Sequence, residues 1–227
     1  MENCSFRAMY SETFPFWPSL APEDQALLCQ NTNTVYYQKG EQVHNGSECT
    51  GVILVRKGAL RLYILSEAGR EITLYRLFPG DICMLSASCV LQAITFDVFV
   101  DAEEDSECCL IAGPVFAAVS ERAPQMKIFA LETAVSRFSD VMWVMQQILF
   151  MRLDQRLAVF LLDEMAKTGK DTLQLTHEQI ARYMGSAREA VSRMLKYFSS
   201  EHMVALSRGG IRITDRAKLR ALTLQQL

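Results

Sequence analysis

Between about Asn33 and Leu110 the hydrophobic positions come in short runs rich in β-branched and aromatic residues, each closed by a glycine. Val35–Tyr37, Gly51–Val55, Ala59–Leu65, Glu71–Leu77 and Asp97–Val100 read as strands, with Gly40, Gly46, Gly58, Gly69 and Gly80 at the turns between them. Frequent short strands with regular turns predict a barrel or a double-sheet roll. Strand character ends near Gly113-Pro114. From Pro124 to about Met151 no Gly or Pro intervenes, and Ile128, Leu131, Val135, Phe138, Met142, Met145 and Leu149 recur at alternating spacings of three and four. That repeat is a coiled-coil seam. At 1.5 Å per residue, about 28 residues span roughly 40 Å, more than an average globular helix. Val141, Trp143, Val144 and Ile148 offer a second apolar face. A helix apolar on two sides needs two partners, so the pattern favours dimerisation through the seam over packing within one chain.

Beyond Met151, Leu153–Met165 repeats as another amphipathic helix, ended by Gly169. Thr176 to Phe198 then reads as two short helices around a tight turn at Gly185. On the second of these, 187–198, Ala187, Ala190, Val191, Met194, Leu195 and Phe198 share a core-facing stripe, while Arg188, Glu189, Ser192, Arg193 and Lys196 fall on the opposite face. Val204–Thr214 reads as two strands about Gly209-Gly210, and a last helix starts near Asp215. Helix, helix pair and basic hairpin together predict a winged helix-turn-helix. Arginines and a carboxylate on the exposed stripe of such a helix are side chains that read base edges in a DNA major groove.

Composition changes the picture through its distribution. The chain has 227 residues, half of them hydrophobic, with a net charge of −3. Residues 152–227 hold 13 Lys/Arg against 8 Asp/Glu, a net of +5, and the remainder a net of −8. An acidic front and a basic back predict two domains, only one of which meets phosphates: 1–150, including a dimerisation helix at about 116–150, and 151–227. No apolar run approaches the roughly 18 residues of a membrane span. The N-terminus lacks the layout of a signal peptide, so a cytoplasmic location is expected, and the seven cysteines are then expected to be free thiols.

From about Leu20 to Thr214 the chain resembles the Crp–Fnr family of transcription regulators. Glu178–Arg193 carries the most specific part of the likeness, supported by Arg156–Leu162 and by the glycine landmarks Gly40-Glu41, Gly58 and Gly80-Asp81. The resemblance implies an α+β fold: an N-terminal double-stranded, jelly-roll-like β-roll, a long dimerisation helix and a C-terminal winged helix-turn-helix. It implies a homodimer on double-stranded DNA, with RNA polymerase as a further partner if the protein activates. It also implies that Arg188, Glu189 and Arg193 read guanine and cytosine of a TGTGA-like half-site, with Ser192 completing a Ser-Arg pair like that of the oxygen-sensing branch. Arg suits guanine O6 and N7 together, and Glu accepts from cytosine N4. Ser186 and Glu189 also fit a capping box, in which Glu189 would touch no base. Thr176 and Gln179 fit a second one. Thr176, Lys196, Arg208 and Arg212 are the phosphate candidates.

The sensory side is less defined. Cyclic-nucleotide members of the family place a glutamate after the Gly80-like turn and an arginine on the phosphate. Here Ile82-Cys83-Met84-Leu85 follows the turn, no Lys or Arg lies between Arg76 and Arg122, and Asp101–Asp105 is acidic. Bound phosphate would meet like charge, so cyclic AMP is not the expected effector. No C-x-x-C occurs for an iron–sulfur cluster, and though Cys83, Cys89, Cys108 and Cys109 could converge as a redox or metal sensor, free cysteines are more often buried small hydrophobes. His44 is the only roll histidine for haem, and its place beside Asn45-Gly46 fits a surface turn. A cupin-type metal enzyme needs two or three His with a carboxylate, which the roll lacks. No metal, cofactor or catalytic site is predicted. What remains is no effector at all, or an uncharged or apolar effector in a pocket lined by Ile82, Cys83, Met84, Leu85 and Cys89, with Phe150–Asp154 as the hinge to the DNA-reading part.

Overall fold

Val52-Ile-Leu-Val55 is a continuous apolar run, and all four side chains are buried because the strand they form has a core on each face. This is strand β3 (Val52–Lys57). With β1 (Thr32–Tyr37), β6 (Ile82–Cys83) and β8 (Ser106–Ile111) it makes a sheet in the order β1-β8-β3-β6. A second sheet has the order β2-β7-β4-β5, from β2 (Gln42–His44), β4 (Leu60–Leu65), β5 (Glu71–Leu77) and β7 (Phe99–Ala102). Ile53 and Val55 pack with Leu60, Leu62, Leu77 and Val100 in the roll interior. Val52 and Leu54 face the opposite core, formed with helices α1 (Arg7–Thr13), α2 (Pro22–Gln30), α3 (Gly113–Arg122) and the start of α4 (Pro124–Phe150).

The computed structural model describes residues 6–46, 49–87 and 96–224. The chain divides into two units, Met1–Leu65 with Leu74–Val141, and Ser66–Thr73 with Met142–Leu227. All five strands expected from the sequence are present with small shifts at their ends, whereas β2, β6 and β8 were not expected. The long helix does not begin near residue 116. It is broken at Ala123 (φ −119°, ψ 85°) because the ring of Pro124 disfavours a helical residue before it. The roll-facing side of α4 also differs from the expected one. Met126 and Ala130 are buried, with Phe129, Ala134 and Val141 packed beside the cores, while Trp143 and Ile148 are exposed.

The second unit contains α5 (Leu153–Thr168), β9 (Thr172–Leu173), α6 (His177–Met184), α7 (Arg188–Ser200), β10 (Val204–Ser207), β11 (Gly210–Ile213) and α8 (Arg216–Leu224). Its core joins Leu157 and Leu161 of α5, Ile180 of α6, Val191, Leu195 and Phe198 of α7, and Leu219 of α8. The hairpin β10–β11 gains β9 as a third strand, in the order β10-β11-β9. The hairpin turn is Arg208-Gly209, one residue earlier than expected, because Ser207 pairs with Gly210. Among the described residues no helix is long and apolar enough to cross a membrane.

Candidate nucleic-acid interface

Helix α6 starts in a capping box. Gln179 N donates to Thr176 Oγ1 at 3.1 Å, and Thr176 N donates to Gln179 Oε1 at 2.8 Å. It ends at Gly185, whose left-handed conformation (φ 57°, ψ 43°) suits glycine and lets Ser186 N donate back to Ala181 O at 2.9 Å. That tight reversal fixes where α7 begins. Val191, Leu195 and Phe198 are fully buried, and Met194 packs beside them. Ala187, expected in this stripe, is instead the exposed N-cap residue of the helix.

The other face of α7 carries Arg188, Glu189, Arg193 and Lys196, all exposed, with Ser192 half-buried between them. At 100° per residue these five positions spread over roughly 140° of the helix surface. The capping box expected between Ser186 and Glu189 does not form, since Ala187 is the N-cap and no side chain caps it. Glu189 therefore lies in the first turn, where the positive end of the helix favours a carboxylate and no backbone bond restrains it. Arg188 Nε lies 4.0 Å from Glu178 Oε2, a loose and solvated pair. Arg208 at the wing turn and Arg212 on β11 are exposed. The Thr176 hydroxyl is occupied by its cap and also donates to Gln179 Oε1 at 3.0 Å, so a phosphate would have to compete for it.

Along α4 the seam positions Ile128, Leu131, Val135, Phe138, Met145 and Leu149 are 45 to 66% exposed, and Met142 is half-buried. An uncovered apolar row of that length on one helix is unusual for a lone chain.

Inside the roll the expected pocket residues do not share one surface. Ile82 and Met84 face the core shared with the helices, Cys83 faces the roll interior, and Leu85 is partly buried against both. The alternation of a strand separates them. Cys89 lies outside the described residues. Sequence reasoning missed the polar group beside them. Tyr75 OH is buried without a hydrogen-bond partner, and the Arg137 guanidinium stands 5.1 Å from its ring, held by Asp81 at 2.8 Å and Asp140 at 3.2 Å. Burial pushes the Tyr75 phenol up, so it stays protonated.

The cysteines divide. Cys83, Cys108 and Cys109 are free and buried; burial pushes all three thiols up, Cys108 to about 12. Thiols so raised are poor nucleophiles and poor ligands. Against the expectation of free thiols throughout, Cys29 and Cys49 each take part in a disulfide. Both are half-buried, whereas the free three are buried in the cores. Among the described residues no group of three His, Cys, Asp or Glu is placed to hold a metal. His44, expected on a surface turn, is buried on β2 with Nδ1 2.7 Å from Thr50 Oγ1, and burial lowers its pKa. Two carboxylates of the acidic stretch have partners within the roll: Asp101 accepts from Arg61 and Tyr63, each at 3.2 Å, and Glu103 Oε2 from Arg76 at 2.6 Å, while Glu103 Oε1 is buried without one.

Comparison with known proteins agrees with this geometry. A family model described as a Crp-like helix-turn-helix domain matches residues 155–222, and one described as a cyclic nucleotide-binding domain matches residues 34–123. A crystal structure from Eubacterium rectale ATCC 33656, assigned to the crp/fnr family of transcriptional regulators, is 43% identical, with a TM-score of 0.90 over 94% of this chain and 100% of that one. The transcriptional activator protein anr of Pseudomonas aeruginosa is 27% identical over 84% of this chain and 80% of its own length. The cyclic AMP receptor protein of Thermus thermophilus is 25% identical over 90% of this chain and 94% of its own.

Proposed function

Since the chain belongs to the Crp–Fnr family of transcription regulators, we propose that it acts as a homodimer that reads a near-palindromic DNA site with α7. A small effector sensed by the roll controls the reading. Residues 1–150 are the sensing and dimerising part and 151–227 the DNA-reading part. The observation that carries this is the division of α7, with Arg188, Glu189 and Arg193 exposed opposite the buried Val191, Leu195 and Phe198. Lys196, Arg208 and Arg212 serve as phosphate contacts, and the exposed α4 seam supplies the dimer. A dimer would place two copies of α7 in successive major grooves, roughly 34 Å apart.

The effector is uncharged or apolar and is not a cyclic nucleotide. Asp101 and Glu103 already use Arg61 and Arg76, so neither of these arginines is left to receive a phosphate there. The unpartnered Tyr75 hydroxyl supplies one hydrogen bond to such a ligand. A redox signal is the second reading, favoured by the disulfide bonds in which Cys29 and Cys49 each take part.

The test is a duplex selected from a random library, followed by fluorescence anisotropy with Arg188→Ala. Specific affinity should fall by roughly 1–3 kcal/mol, and one base position should become degenerate. If no duplex is selected with or without reductant, the reading fails.

A further inference from the structure

The turn Ser66–Thr73 groups with the C-terminal unit. Its own shape is fixed locally. Ser66 N donates to Arg70 O and Gly69 N to Ser66 O, both at 2.9 Å, and Arg70 N donates to Ser66 Oγ at 3.0 Å. From this rigid turn the Arg70 guanidinium donates to the Gly185 carbonyl, and Thr73 Oγ1 donates to the Arg182 carbonyl at 3.3 Å. Ile72 lies so close that a Cβ on Gly185 would be 2.9 Å from its Cγ1. From α5, Arg156 donates to the Met184 carbonyl. The last carbonyls of α6 carry the negative end of the helix, which two guanidiniums and a hydroxyl satisfy. Burial, and the charge of nearby Arg70, lower the pKa of Arg156, so two cations are held together here by the helix end. Between the turn and the helix pair lies a cleft of about 240 Å³, with Arg70 and Glu71 on one wall and Glu178, Arg182, Ser186 and Arg188 on the other.

Resting on the reading of α7 as the DNA-reading helix, we propose that Ser66–Thr73 is an autoinhibitory clasp on the helix-turn-helix. Arg188 opens α7, just after the turn residue Ser186, and this is the end that enters a major groove. With the clasp closed, Glu71 and Glu178 share the cleft with these residues. Arg70, Arg182 and Arg188 line the same cleft, so charge does not bar a phosphate; the bar is the turn itself, whose Gly69, Arg70 and Glu71 wall the cleft opposite that end of the helix. Closed clasp and bound DNA therefore exclude one another, and the closed fraction lowers the apparent affinity by the same factor.

The test uses the full-length protein without added effector. Arg70→Ala and Thr73→Val, singly and together, are titrated with the selected duplex, and folding is checked by melting temperature. The double variant should bind at least about tenfold tighter than the unaltered chain, as removal of a state populated ten to one requires. On the unaltered chain, saturating duplex should speed the exchange of the Arg70 guanidinium protons, which the Gly185 carbonyl holds while the clasp is closed, a readout by NMR that stands even if the double variant does not fold. Equal or weaker binding by folded variants, or unchanged exchange in the turn, overturns the clasp while leaving the DNA reader intact. If neither the unaltered chain nor the variants bind any selected duplex, both readings fall.

Discussion

Gly58 and Gly69 look alike in the sequence, since each closes a strand, yet the structure makes them very different. Both have positive φ, 81° and 74°. A Cβ on Gly58 would lie 2.4 Å from Ser106 Oγ and 2.6 Å from the Asp105 carbonyl, while at Gly69 nothing lies within 4 Å. Gly69→Ala should therefore cost only the left-handed backbone strain, about 1–2 kcal/mol. Gly58→Ala adds a clash with backbone that cannot move aside, for a total on the order of 2–4 kcal/mol. Urea unfolding at unchanged slope measures both, and equal costs would refute the steric argument. The same limit accounts for further single-residue misreadings. Spacing suggested that Ser186 caps α7 and that His44 lies on the surface, but the reversal that returns Ser186 N to Ala181 O makes Ala187 the N-cap, and His44 is buried on β2.

Helix α4 shows what periodicity reveals and what it hides. The seam was legible because large apolar residues rarely keep a strict three-four repeat unless they share one helix face. The roll-facing side was misassigned because Met126, Phe129 and Val141 alternate there with small or charged residues. Ala130, Ala134 and Arg137 carry little hydrophobic signal, and Arg137 belongs there only because Asp81, Asp140 and the Tyr75 ring receive it. Strand β8 was not expected as a strand, although its Cys108 and Cys109 are the buried small hydrophobes that free cysteines most often are. Val135 and Phe138 are 66% and 62% exposed, so Val135→Asp with Phe138→Asp should leave the roll folded. Light scattering should show a fall from twice 25.7 kDa to 25.7 kDa. A dimer that survives both charges would remove the seam as its interface. Met126→Asp places a charge in the core and should instead unfold the protein.

At the scale of the molecule, output and input differ in how they are written. The residues proposed to read DNA lie within six positions of one helix, Arg188 to Arg193, so sequence alone brings them together. Tyr75, Asp81, Cys83 and Arg137 are joined only by the fold, and no local motif announces them. Charge follows the same division, net +5 from residue 152 onward and net −8 before it, so DNA should meet the basic part alone and the affinity should depend steeply on salt. Arg188 and the wing arginines can be separated on that axis. A phosphate contact releases counterions, and each one lost should flatten the plot of log affinity against log salt by about 0.9. Arg208→Ala with Arg212→Ala should flatten it and weaken all sequences alike. Arg188→Ala should leave the slope near that of the unaltered chain while degrading discrimination at one base pair. Titrations of a selected and a scrambled duplex at a series of salt concentrations distinguish the two behaviours, and a flattened slope for Arg188→Ala would move that residue from base edge to backbone.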